Sequence, residues 1–165
     1  MSHEGSVSAA EPLDLRELFA RPWSGRVSLW RPWWLRWLPL ASPVHFRTEI
    51  ADAHLAETTG LIVRDTMTFS NGKLWERTMT AQLVGPGRWR VSAEDMPGGA
   101  EQTVGPDGFA FTPFTILAPV LGPLRVPLRC TDEIVLLDAR TMVDTSEMRF
   151  LGVRVGKMEM RLEQN

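Results

Sequence analysis

Polar and apolar residues alternate along most of this chain with a period of two, the spacing of a β-strand with one buried face. Residues 44–50 put Val44, Phe46, Thr48 and Ile50 on one face and His45, Arg47 and Glu49 on the other. Residues 23–30 set Trp23, Gly25, Val27 and Leu29 against Ser24, Arg26 and Ser28. Two longer runs, 60–69 and 73–83, flank Ser70-Asn71-Gly72. An Asn-Gly pair between alternating runs predicts a hairpin with a type I′ turn, whose two central residues take positive φ. Gly85-Pro86-Gly87 and Gly105-Pro106-Asp107-Gly108 then punctuate short strands over 88–93, 100–104 and 109–115. Three more follow Gly122: 124–137, bent at Pro127, then 141–150 and 153–162. The last points Val153, Val155, Met158, Met160 and Leu162 inward if Gly156 marks a bulge. Only residues 14–20 read as helix, with Leu15, Leu18 and Phe19 on one side and Pro22 as the stop.

Eight to ten strands joined by short turns predict an all-β antiparallel sandwich or closed barrel with one short N-terminal helix. At 165 residues, one domain over 13–165 behind a disordered tail over 1–12 accounts for the chain. Composition then removes classes of function. A net charge of −2 offers no basic field for nucleic acid. The one cysteine, Cys130, has no partner for a disulfide, and the three histidines at 3, 45 and 54 have no metal-ligand or haem spacing, so no metal and no cofactor are expected. Residues 1–12 lack a basic region leading into an apolar core, and no run is long enough to span a bilayer. No secretory signal and no membrane insertion are expected, and the location expected is cytoplasmic.

Four stretches add a resemblance. DTMTFSNG at 65–72 resembles an acidic-aromatic strand entering an Asp/Asn-Gly hairpin, and WRVSAEDMPGGAEQTVGPDG at 89–108 an aromatic, acidic and glycine pattern before a turn. DEIVLL at 132–137 stands where a paired-acid apolar strand falls, and MRFLGVRVGKMEMRL at 148–162 is similar to a closing Met-x-Phe-Gly strand. Together they make residues 64–162 look like a bacterial family of unknown function built on a lipocalin-like (calycin) barrel. The resemblance implies that fold and an apolar cavity, and carries no catalytic residues. Thr131 and Glu133 depart from its pattern, and residues 29–43, with WRPWWLRWLPLASP, have no counterpart in it.

The aromatic usage is uneven: seven Trp, seven Phe and no Tyr, with five of the Trp between positions 23 and 37. Trp30, Trp33, Trp34 and Trp37, set among prolines and arginines after the first strand, read as a lid or mouth over a barrel cavity. A hydrophobic plug or a homodimer contact is the competing reading, since Trp and Arg concentrate in interface hot spots, and a membrane-surface patch is a third. Trp75, Met79 and Phe111, with Phe46 and Trp89, are the expected cavity wall. Arg77 shares a strand face with Trp75, Met79 and Ala81. It is either a polar anchor inside the cavity or a guanidinium reaching solvent past Trp75, the second being the more economical reading.

His45 is the one histidine in a clear strand and a candidate general acid or base. Glu94-Asp95, Asp132-Glu133 and residues 144–147 offer possible carboxylate pairs, of which Asp132 and Glu133 cannot both point inward. A buried Asp132 would hold its proton and could donate it, while an ion pair with Arg129, Arg149 or Arg154 at the rim is the plainer alternative. Two functions fit: a binder of an apolar small molecule (polyketide-, polyene- or lipid-like), or a cofactor-free cyclase or isomerase that folds such a molecule with help from His45, Arg77 or Asp132. Shape-driven catalysis of the second kind leaves no motif.

Overall fold

The computed structural model describes residues 10–51, 60–121 and 123–165. Ten strands carry the fold: β1 Trp23–Trp30, β2 Pro43–Ile50, β3 Gly60–Phe69, β4 Leu74–Gly85, β5 Arg88–Ala93, β6 Ala100–Val104, β7 Gly108–Leu121, β8 Leu124–Asp138, β9 Thr141–Phe150 and β10 Val153–Gln164. Each pairs antiparallel with its chain neighbour, and β1 pairs with β10, so the sheet closes into an up-and-down barrel with no free edge. The period-two pattern has its physical cause here, since every strand shows one face to the barrel interior and one to solvent. One helical turn, α1 (Leu15–Leu18), precedes the barrel, capped by Asp14, whose side chain accepts from the Arg16 amide at 2.9 Å. His3 and His54 lie outside the described residues.

Pro127 pairs in register with Leu117, and the register of this hairpin shifts at Phe111/Phe114 and Pro119/Leu121 of β7. Two local expectations are corrected. Ser70-Asn71-Gly72 is not a two-residue type I′ turn. Gly72 alone takes positive φ, 80°, and its amide donates to the Phe69 carbonyl at 2.9 Å, the three-residue form in which glycine makes the bulge. The two-residue hairpin turn between β9 and β10, Leu151-Gly152, takes positive φ at both positions, 48° and 83°. Val153, opposite Phe150 at the mouth end of β10, is 55% exposed, and beyond the bulge between Arg154 and Gly156 the strand keeps Met158, Met160 and Leu162 inward.

Alternating strand direction sorts the connections to two ends. One end is filled by the chain's own N-terminal segment. Leu15 and Phe19 enter the barrel there, Phe19 meets Phe109 edge-on at 6.2 Å, and the Leu13 amide donates to the Gly105 carbonyl at 3.0 Å. Trp23, fully buried, donates its indole N–H to the Leu18 carbonyl at 2.8 Å, tying the last turn of α1 to the first residue of β1. The opposite end carries the β1–β2 connection with the tryptophan-rich segment, the β3–β4, β7–β8 and β9–β10 turns, and the mouth of a cavity.

Candidate functional site

The interior cavity has a volume of about 840 Å³, within the range of sites that enclose a small ligand. Its depth is layered by strand alternation. At the bottom lie Leu15, Phe19, Leu61, Ile134, Met142 and Leu162, and near the mouth Phe69, Leu74, Leu128, Met148 and Phe150. Between them runs a polar belt.

Arg77 of β4 donates to Asp65 of β3 at 2.8 Å and lies 4.0 Å from Asp95, which the β5–β6 turn folds inward beside buried Met96. Asp132 of β8 accepts from the Ser146 hydroxyl of β9 at 2.6 Å and is within hydrogen-bonding reach of Asp144 on the same strand as that serine. Buried Thr48 and Gln102 also face the cavity. Four carboxyl groups therefore meet one guanidinium. Burial works against the Arg77 charge, but Asp65 above all, then Asp95 and Asp132, outweigh it and hold the group firmly protonated. Burial pushes the Asp95 and Asp132 carboxyls above the usual carboxylate range. Asp144 is raised furthest, by burial first and then by the neighbouring Asp132 charge, so the Asp132–Asp144 pair keeps a proton on Asp144. Asp65 Oδ1, both oxygens of Asp95 and Asp144 Oδ1 are buried without a partner, against a single unpaired donor, Arg77 Nε. The belt is acceptor-rich.

Arg77 does not reach for solvent. Its guanidinium lies 5.2 Å from the Trp75 ring and its side chain is only 16% exposed. Asp132 likewise sits in the belt and not in a rim ion pair. Arg149 and Arg154 pair with Glu147 instead, at 2.7 and 3.6 Å. Phe46, Trp75, Met79 and Phe111 line the cavity, as does Trp34. Five expected site residues lie elsewhere. His45 is exposed on the outer face of β2, because inward-facing Phe46 fixes the phase of that strand. Trp30 falls on the outer face of β1, where Arg154 lies 4.9 Å from its ring. Trp89 is buried in the core at the plugged end, near Pro12 and Leu13, and lines no part of the main cavity. Trp33 and Trp37 are 72% and 84% exposed on the outer side of the mouth. Cys130 is a buried thiol that desolvation pushes up to about 12, so it stays protonated and unreactive.

Sequence reasoning missed Asp65 and offered Asp144 only as part of a possible carboxylate pair over 144–147, although both leave a signal. Each is an acid on an inward strand face bounded by apolar residues at that period: Leu61, Val63, Asp65, Met67 on β3, and Met142, Asp144, Ser146, Met148 on β9. Asp95 leaves none, since its position depends on how the β5–β6 turn folds back, with the Leu117 amide donating to the Asp95 carbonyl at 2.7 Å.

A closed antiparallel barrel around one ligand-sized cavity is the lipocalin-like class of fold. The chain belongs to the family of proteins of unknown function DUF3833, whose model matches residues 44–164. The same fold is seen in the S-type phycobiliprotein lyase CPES from Guillardia theta, with a TM-score of 0.54, 10% identity and 93% of each chain covered. No curated protein matches the chain by sequence.

Proposed function

We propose that this barrel binds a small amphipathic molecule, its apolar body in the cavity and a hydrogen-bond-donating or cationic end in the polar belt. The observation that carries the reading is the pairing of an apolar cavity of about 840 Å³ with buried carboxylate oxygens that have no partner. An unmet buried acceptor is costly, and a ligand donor that meets it recovers that cost. Trp75 and Met79 supply ring and thioether surface on either side of Arg77. A neutral fluorescent probe, N-phenyl-1-naphthylamine, displaced by decylamine, decanol and decanoate, tests this. Decylamine is expected to compete at least about tenfold better than decanol, and decanoate worst, since a charge-assisted hydrogen bond is worth about 1.5–3 kcal/mol. Equal competition by all three would leave a cavity without head-group preference, and no displacement by any would remove the binding reading.

One observation favours a second reading, a cofactor-free cyclase or isomerase. Asp144 keeps its proton beside Asp132 and faces the cavity, the arrangement of a general acid. Conversion of a bound polyene- or polyketide-like molecule, followed by mass spectrometry and abolished in Asp144→Asn, is the expected result. Unchanged conversion in that variant rules out this acid.

A further inference from the structure

The mouth of the barrel is as unusual as its interior. Around it, among the described residues, two separate connections and the starts of β4 and β8 each put large apolar side chains into solvent. Trp33, Trp37 and Leu38 come from the β1–β2 segment, Leu74 from the start of β4, Leu124 from the start of β8 and Leu151 from the β9–β10 turn, at exposures between 44% and 87%. These residues are far apart in sequence and are gathered only by barrel closure.

The tryptophan-rich segment is not loose chain thrown outward. A one-turn 3-10 helix at Trp33–Leu35 turns Trp34 toward the cavity and Trp33 outward. The base of the segment is fastened by Arg31, which donates to the Leu40 carbonyl at 3.3 Å and to Ser42 Oγ at 2.6 Å, and by Ser42 and Ser70 bonding across to the β3–β4 turn. The fold thus holds these indoles in water. Leu151 carries the same message. It is 87% exposed at φ 48°, a conformation that suits Asn or Gly and strains a leucine. Nothing inside the barrel accounts for a large apolar side chain there.

The charge around this end is also one-sided. Arg31, Arg36, Lys73, Arg125, Arg149 and Arg154 surround the mouth, against Glu94 and Glu147, in a chain whose net charge is −2. Indoles at the tip with arginines behind them form the pattern of an interfacial anchor, aromatic rings at headgroup level and cations toward anionic lipid.

We propose that the open end of the barrel docks on the surface of an anionic lipid bilayer, without spanning it, so that the cavity opens onto the membrane. The four apolar elements reach the headgroup–acyl boundary together, and the basic collar meets lipid phosphates. This holds whichever molecule the cavity takes. A second copy of this chain is the other candidate to cover the patch, but two mouths with the same positive collar would repel one another.

Sedimentation of the full chain with phosphatidylcholine vesicles containing one quarter phosphatidylglycerol, against vesicles of phosphatidylcholine alone, tests the proposal. The expected result is binding to the anionic vesicles, weakened by added salt, with a blue shift of tryptophan emission. The double variant Trp33→Glu with Trp37→Glu loses at least about tenfold in partitioning, and Leu151→Glu loses less. Both variants still bind N-phenyl-1-naphthylamine in the absence of vesicles, which shows them folded. Absence of binding to either vesicle, equal binding to both, or partitioning unchanged in the double variant overturns the proposal. So does a dimer in sedimentation equilibrium that the double variant converts to monomer, since the patch is then an interface between copies.

Discussion

The two ends of this barrel are built from the same strands by the same alternation, yet they solve opposite problems. At the plugged end Trp23, Leu15, Met142 and Leu162 are almost wholly buried, and even the indole N–H of Trp23 has its partner. At the mouth the tryptophans stand in water and the interior is left empty above a charged belt. Stability is concentrated where side chains fill the barrel, and ligand chemistry is available where they do not. The contrast teaches that a count of tryptophans says nothing until each is assigned to an end.

The contrast is sharpest in matched substitutions. Trp23→Ala removes a fully buried ring and its indole hydrogen bond to the Leu18 carbonyl, and is expected to lower unfolding free energy by about 4 kcal/mol. Trp37→Ala, at 84% exposure, is expected to stay within about 0.5 kcal/mol of wild type. Urea unfolding of both variants checks the pair, and similar losses would erase the distinction between the ends.

Arg77→Met comes next. It leaves Asp65, 1% exposed, facing a neutral neighbour, and an uncompensated buried charge costs about 3 kcal/mol. Replacing Asp65 as well, as Asp65→Leu with Arg77→Met, is expected to recover most of that loss in the same urea assay. A double variant no more stable than the single one would show that the belt is held by more than this ion pair.

The Asp132–Asp144 pair gives a pH test. Asp144 holds its proton in the folded barrel above the ordinary carboxylate value of 3.8, so the folded state binds more protons than the unfolded chain as pH rises from there. Stability contributed by this site therefore falls with rising pH until the folded-state carboxyl ionises, with a slope of at most about 1.4 kcal/mol per pH unit. Asp65, Arg77, Asp95 and Asp132 face the same group, and the isolated effect is the difference between wild type and Asp144→Asn. Relative to wild type, the asparagine variant is expected to gain stability from pH 4 upward, measured by thermal unfolding at a series of pH values. A difference that is flat with pH would mean that Asp144 is not the protonated member.

The smallest effect is expected at Leu151. Asparagine accepts positive φ more readily than leucine, so Leu151→Asn should stabilise by about 0.5–1 kcal/mol while weakening the hold of the mouth on anionic vesicles. Gain of stability together with loss of vesicle binding marks a residue placed for contact and not for folding.

Most of the fold was legible because period-two alternation is a local signal, and all ten strands follow it. What escaped was set by contacts remote in sequence. The tilt of the β5–β6 turn brings Asp95 to Arg77, and the register of β7 against β8 shifts at Phe111/Phe114 and Pro119/Leu121. Alternation should have placed Trp30 outward with Arg26 and Ser28, and its aromatic character obscured that. The belt was half visible. Arg77 and Asp132 stand out as charges on apolar faces, but that they share one site with Asp65 and Asp144 follows only from closing β3, β4, β8 and β9 around the same lumen. Asp132 therefore meets a second acid where a rim arginine was the plainer expectation.

The central claim is that the interior, not the tryptophan-rich rim, holds the ligand. Titration of N-phenyl-1-naphthylamine into wild type, Met67→Trp and the double variant Trp33→Glu with Trp37→Glu tests it most directly. Met67 lines the cavity one inward step above Asp65, and an indole there fills the passage to the belt. The account predicts probe affinity lowered at least about tenfold by Met67→Trp and unchanged by the rim variant. Affinity kept in Met67→Trp and lost from the rim variant would contradict it.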